Sequence, residues 1–200
     1  CPAGSRPGLS RVNALLKRLG HPELSLRYIH IAGTNGKGST AAMIASVLKA
    51  AGIRTGCFTS PSLCVLNEHI RVDGEMISNE ELADLFSRLL PVADDLADHP
   101  TQFEFLTSAA LQYFHERHCQ LVVMEAGMGG EKDATNAIPA PEEAVFTNIG
   151  LDHTRWLGHT VEEIAKAKAG IIKKGCDCVL YPNAPSVEAV IRDVCARKGV

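Results

Sequence analysis

Apolar residues recur along this chain in two alternating rhythms. Short, nearly continuous apolar runs at 28–32, 55–59, 121–125, 144–148 and 178–181 read as strands. Between them, stretches near 39–51, 79–97, 102–117, 160–172 and 186–198 carry apolar residues at helical spacing. Leu82, Leu85, Phe86 and Leu89, for example, follow the i, i+3, i+4, i+7 pattern of a buried helix face. Strands that are apolar on both faces and separated by helices predict an α/β fold. Its core would be a mostly parallel sheet flanked by helices on both sides. A small hairpin is expected after the second strand, from 70–72 to 76–77 about Asp73-Gly74. No internal repeat or low-complexity linker divides the chain, so 1–200 reads as one domain.

The segment Gly33-Thr34-Asn35-Gly36-Lys37-Gly38-Ser39-Thr40 joins the first strand to a helix bearing Ile44, Val47, Leu48 and Ala51 on one face. A strand, a glycine-rich turn and a helix make a phosphate site. Backbone N–H groups turn inward on oxyanions, the helix N-terminus adds partial positive charge, and Lys37 adds a full one. The bland reading is a tight connection and nothing more. The spacing is not GxxxxGK[ST], because Ile31 stands at the first glycine and a glycine follows the lysine.

In open parallel sheets ligands bind beyond the carboxyl ends of the strands, so the residues just past each strand are informative. After the second come Thr59, Ser60 and Pro61. The third ends in Glu125, followed by Ala126-Gly127-Met128-Gly129-Gly130, glycines that suggest a close approach to the backbone. The fourth is followed by Gly150, Asp152 and His153. Alone, Ser60 is a turn cap, Glu125 a solvated strand end and His153 a structural histidine. Together they offer hydroxyl, carboxylate and imidazole beside a phosphate loop, the equipment of a magnesium–nucleotide site. On the 160–172 helix, Lys168 shares the apolar stripe of Val161, Ile164 and Ala165. Either its stem is buried and its ammonium snorkels to water, or it is aimed into the site with a lowered pKa.

A hydrophobic content of 46% over 200 residues supports one good core. The net charge of -3 gives no electrostatic footprint for nucleic acid or an acidic membrane. No apolar run approaches the roughly 18 residues of a membrane span. The seven cysteines (1, 57, 64, 119, 176, 178 and 195) are scattered, and Cys176 and Cys178 flank one aspartate, which is neither a redox pair nor a zinc knuckle. Reduced thiols in a cytoplasmic protein are expected. The start, Cys1-Pro2-Ala3-Gly4, has neither an initiator Met nor a leader pattern, which reads as a fragment or processed chain.

Taken in order, GTNGKGST, TSPSL with NEHI, FEFLTSAALQYF, EAGMGG followed by DATN, TNIGLDHT and KAGII closely resemble the folylpolyglutamate synthase/dihydrofolate synthase family of the Mur ligase superfamily. The resemblance runs from about Gly4 to the C-terminus. It implies a P-loop NTPase-like ATP-binding domain of the Mur ligase central type. A short N-terminal helix and a C-terminal domain that completes the nucleotide site and helps bind glutamate are expected to lie outside this sequence. It implies an ATP-dependent amide ligase. ATP phosphorylates a folate or dihydropteroate carboxylate, and L-glutamate attacks the acyl phosphate, releasing ADP and phosphate. By resemblance, catalytic roles fall to Lys37, His153 and Lys168, and the nucleotide is held by Gly33, Thr34, Asn35, Gly36, Lys37, Gly38, Ser39, Thr40 and Asn136. One Mg2+ would sit on Ser39, Ser60 and Glu125, a second on Glu125, His153 and Lys168, with the lysine carbamylated. Phe103, Phe105 and Asp133 match the pteroate pocket. A monomer is expected when full length, and the isolated chain is expected to bind nucleotide weakly and to form no amide.

The chain departs from the family pattern at Glu131 for arginine, Ala167 for glutamate, Ser62 for histidine or an aromatic residue, and His69 for arginine. Within the ligase class a Mur-type peptidoglycan ligase is the weaker option, because Gly38-Ser39 and DATN favour the folate branch. From a different class, the same substitutions, led by Glu131, allow a nucleotide-binding module without ligase activity. Substrate-dependent turnover separates the two.

Overall fold

A computed structural model describes residues 7–200, so Cys1 and residues 4–6 of the resembling stretch lie outside the described residues. The elements are α1 (Ser10–Arg18), β1 (Tyr28–Ala32), α2 (Lys37–Ala50), β2 (Thr55–Phe58), β3 (Ile70–Val72), β4 (Glu75–Met76), α3 (Asn79–Asp94), α4 (Gln102–Glu116), β5 (Leu121–Glu125), β6 (Glu143–Phe146), α5 (Thr154–Leu157), α6 (Val161–Lys168), β7 (Asp177–Leu180) and α7 (Pro185–Lys198). They build one seven-stranded sheet in the order β4-β3-β2-β5-β1-β6-β7. The five strands from β2 to β7 in that order are parallel, and the β3–β4 hairpin adds antiparallel to β2. The register pairs Ile31 with Glu125 and Ala32 with Phe146, so β1, β5 and β6 end at one edge of the sheet.

The two faces of the sheet are covered unequally. On one, Tyr28, Phe58, Val122 and Met124 pack with α1, α3 and α4, and Ala144 and Phe146 pack with α6 and α7. On the other, Ile31, Cys57 and Val123 meet α2. Beyond α2 that second face opens: Val145 is half-buried and Val179 is 51% exposed. The sequence predicts cover on both sides, and this holds only at the centre. The cause is the strand order. The crossover from β1 to β2 runs toward the β4 edge, while those from β2 to β5, β5 to β6 and β6 to β7 run the other way. Right-handed crossovers in opposite directions lie on opposite faces.

All five predicted strands and the hairpin are present, with ends shifted by a residue or two. Two helices have no counterpart in the sequence reading. α1 lacks a side-chain N-cap and buries only Val12, Leu15 and Leu16 among its apolar residues. Its anchor is tertiary: the buried Arg11 guanidinium donates to both Glu104 oxygens on α4 at 2.9 Å. α5 is a four-residue helix, too short for periodicity to register. The expected helix at 160–172 stops at Lys168 and tightens into a 3-10 turn, Ala169–Ile171. α3 ends at Asp94, with Pro91 in its last turn. The six described cysteines are free, and no helix among the described residues is long and apolar enough to cross a membrane.

Candidate nucleotide and metal site

The first strand-end turn leaves hydrogen-bond donors open. α3, α4 and α6 are each closed by a capping box, Ser78 with Glu81, Thr101 with Glu104 and Thr160 with Glu163. α2 has Gly36 at its N-cap, in the left-handed region (φ 83°), and glycine has no side chain to cap with. The first-turn amides of α2 are therefore available to an anion. The turn is held against the end of β6: Thr34 N–H donates to Asn148 O (2.7 Å), and the Thr34 hydroxyl both donates to Gly150 O and accepts from Gly150 N–H at 3.1 Å.

Lys37, Ser60 and Glu125 converge beside this turn. The Lys37 ammonium donates to Thr34 O (3.3 Å) and lies 3.9 Å from Glu125 Oε1. Glu125 is buried, and its Oε2 accepts the Ser60 amide at 3.2 Å. Burial raises the Glu125 carboxyl above its ordinary range, against the opposing pull of the Ser60 amide and Lys37. Gly38 brings α2 so near that a Cβ there would stand 3.3 Å from Glu125 Oε2. Ser39 is exposed on the first turn of the same helix, and Thr40 is half-buried beside it.

Lys168 does not snorkel. It is 2% exposed, and its ammonium donates to Gly33 O at 2.6 Å. Burial, aided by the charge of Lys37, pushes it down to about 8, while Asp152 and Asp133 pull it up. His153 caps α5 in the left-handed region, with Nε2 3.6 Å from Asp152. Asn35 forms a bridge to Asn148. Of the predicted nucleotide and metal positions, the structure thus gathers 33–39, Ser60, Glu125 and Lys168, and puts His153 on the adjoining turn. Among the described residues, no three His, Cys, Asp or Glu side chains form a ready cation cluster.

The second glycine-rich turn, 127–131, behaves otherwise. The sequence suggests a close approach to its backbone, and that approach is present: what approaches is the protein itself. A Cβ on Gly130 would stand 2.5 Å from the Lys168 carbonyl oxygen. Glu131 N–H donates to Ala167 O (3.0 Å), and its own side chain is exposed. Asp133 ties the turn back: Oδ2 accepts from Met128 N–H (2.7 Å), while Oδ1 accepts from the Thr135 amide (3.0 Å) and hydroxyl (2.5 Å). Asn136 Nδ2 donates to Glu131 O (3.2 Å) and Gly170 O (3.3 Å), and its Oδ1 is buried without a partner among the described residues. Phe103 is half-buried against Gly127, 5.9 Å from the Phe58 ring. Phe105 is buried edge-on to Phe86 at 5.1 Å, inside the core. His69 is buried, stacks on Phe58 and holds Thr59 O through Nδ1 at 2.6 Å.

Sequence reasoning missed His30 and Thr135, which meet in the core (His30 Nε2 to Thr135 Oγ1, 2.9 Å). The available signal was a polar residue inside an otherwise apolar strand.

Residues 31–185 match the model of the Mur ligase middle domain. The chain is 46% identical over 194 residues to the dihydrofolate synthase/folylpolyglutamate synthase of Bacillus subtilis, covering 94% of this chain and 45% of that protein. It superposes on a folylpolyglutamate synthase in complex with AMPPCP and folate with a TM-score of 0.92 and 41% identity, over 98% of this chain and 50% of that one. The apo form of the Lacticaseibacillus casei enzyme gives a TM-score of 0.93 and 40% identity, over 100% of this chain and 50% of that one. The chain thus spans about half the length of the relatives it matches. With the fold, the site and these likenesses in agreement, the chain belongs to the Mur ligase middle-domain family, in its folylpolyglutamate synthase/dihydrofolate synthase branch.

Proposed function

We propose that this chain is the ATP-binding part of a ligase that joins L-glutamate to a folate or dihydropteroate carboxylate through an acyl phosphate. The observation that carries the reading is the uncapped start of α2, with Lys37 on its first turn, facing a buried carboxylate 3.9 Å away. The triphosphate lies against the α2 amides, and Lys37 balances charge that spreads onto its oxygens during transfer. Glu125 with the hydroxyls of Ser39 and Ser60 is a set of hard oxygen donors, which suits Mg2+. That ion would shield the phosphates and draw electrons from the transferred group. The second set, Glu125, His153 and Lys168, is one ligand short while Lys168 is an ammonium, because an ammonium offers no lone pair. A pKa pushed down to about 8 leaves part of the amine neutral and open to carbamylation, which supplies the missing carboxylate. Intact-mass spectrometry of protein equilibrated with bicarbonate tests this, and a mass unchanged by bicarbonate removes the second set.

Phe103, beside the second turn, is the aromatic surface proposed for the pteridine ring. Asn136, with its free Oδ1, is proposed for the nucleotide. A reducing, cytoplasmic setting is part of the proposal, on the scattered spacing of the cysteines. The deciding experiment measures phosphate release from ATP by the full-length protein, with and without dihydropteroate or tetrahydrofolate and glutamate. Release that requires both other substrates supports the ligase. ATP binding with no dependent turnover sinks it and leaves a nucleotide-binding module. Trp156, the only tryptophan, lies on α5 next to His153 and gives a fluorescence signal for the binding step.

A further inference from the structure

His30 is wholly buried in the central strand, three residues before the first glycine-rich turn, and has no part in the proposed chemistry. Its Nε2 is 2.9 Å from Thr135 Oγ1. That hydroxyl donates its proton to Asp133 Oδ1 at 2.5 Å, so toward His30 it can only accept. The imidazole is therefore the neutral tautomer with the proton on Nε2. Burial and the nearby charge of Lys173 hold its pKa down at about 3, which keeps it in that form. Nδ1 has no partner among the described residues.

From Asp133 the connection continues in two directions. Its carboxylate holds Met128 N–H (2.7 Å), and its own N–H donates to Gly130 O (3.1 Å), fixing both ends of the second turn. That turn abuts the end of α6 through Glu131 N–H to Ala167 O (3.0 Å), and the next residue, Lys168, reaches back to Gly33 O (2.6 Å). A closed circuit results. It leaves β1 at His30, passes through Thr135, Asp133, the second turn and Lys168, and returns to the same strand's exit at Gly33.

We infer that His30 is a positioning residue, which through Thr135 and Asp133 holds the second glycine-rich turn and thereby sets where Lys168 stands over the first. The kinetic part of its test rests on the ligase reading, and the exchange part does not. His30→Leu removes the donor at similar volume, while His30→Gln keeps an N–H donor of comparable reach. In the intact protein, hydrogen exchange at the Met128 and Thr135 amides quickens about tenfold in His30→Leu and returns toward wild type in His30→Gln. Kinetically, kcat falls about tenfold in His30→Leu with the KM for ATP unchanged within about twofold, and His30→Gln recovers most of it. Adding His30→Leu to Thr135→Val costs nothing beyond Thr135→Val alone, because both cut one connection. If His30→Leu fails to fold, His30→Asn, too short to reach Thr135, replaces it. Unchanged exchange at Met128, equal losses in the Leu and Gln variants, or a loss confined to KM each overturns the inference. A protein with no ATP-dependent ligation at all would overturn the proposed function, and the exchange data would still decide the role of His30.

Discussion

Two glycine-rich turns leave paired parallel strands side by side, one after β1 and one after β5, and they use glycine for opposite ends. In the first, Gly36 takes a left-handed conformation with open space around it and leaves the start of α2 uncapped. In the second, Gly130 lets one backbone rest on another, 2.5 Å from where its Cβ would be. The first turn holds its donors outward. The second directs them inward, to Asp133 and Ala167. The lesson is that a glycine-rich strand end signals close approach without saying what approaches: Gly36 faces open space, whereas Gly130 meets the protein's own helix, and within the first turn Gly33 already meets Thr147.

Substitution separates the two turns most sharply. Gly130→Ala forces its methyl into the Lys168 carbonyl, which is backbone and cannot swing aside, so a loss of about 3 kcal/mol in urea unfolding is expected. Gly36→Ala meets no atom and bears only the left-handed conformation, about 1–2 kcal/mol. Equal losses at the two positions would erase the contrast.

Lys37→Ala reverses the emphasis. Its side chain lies at the mouth of the first turn, and its protein contacts are one carbonyl at 3.3 Å and a carboxylate at 3.9 Å. Stability should fall by no more than about 1–2 kcal/mol, the cost of leaving the buried Glu125 without its nearby charge, since the Ser60 amide remains. ATP affinity should fall about 100-fold, as charge-assisted contacts to phosphate are lost. Calorimetric titration beside thermal unfolding measures both. Affinity that survives the substitution would mean the open amides of α2 do not face phosphate.

These results also mark what the sequence could disclose. The sheet was legible because five buried strands repeat one apolar rhythm, and the first turn because Lys37 and the flanking glycines specify one kind of ligand. Lys168 was legible only as an alternative, since a stripe position fits both snorkelling and burial, and the partner that decides it, Gly33 O, is distant in sequence. α1 was not legible at all. Its place depends on Arg11 meeting Glu104, a pair 93 residues apart, and no local pattern encodes that. Nor was the inward use of 127–131, because the atoms filling it belong to α4, α5, α6 and Asp133, all outside the turn. The open half of one sheet face had its cause in strand order, which periodicity does not fix.

Lys168 joins the two turns and gives a pH test. Its pKa is about 8 in the fold against 10.5 unfolded, so between those values the unfolded chain binds more protons. Stability therefore rises with pH across that window, and below about 8 the cost of the buried charge is present in full. Lys173 is also pushed down to about 8 and contributes in the same direction, so the wild-type slope alone does not isolate Lys168. The difference between wild type and Lys168→Met does. Urea unfolding at both ends of the window should give wild type a relative gain of about 2 kcal/mol that the Met variant lacks. Parallel slopes would mean that Lys168 keeps its proton and is satisfied as an ammonium by Gly33 O.

The smallest effect should come from Gly38, which belongs to the first turn yet makes a close approach of the second kind. A Cβ there would stand 3.3 Å from Glu125 Oε2, at a side-chain tip and not at backbone. The carboxylate can yield by a few tenths of an ångström, so Gly38→Ala should alter stability by no more than about 0.5 kcal/mol, helped by the better helix propensity of alanine. The same shift moves Glu125 off the Ser60 amide at 3.2 Å and away from where a cation beside Ser39 would sit. Nucleotide binding in Mg2+ should therefore weaken several-fold while binding in EDTA stays the same. If both weaken together, the methyl obstructs phosphate directly, and Gly38 belongs with Gly36 as part of the open turn.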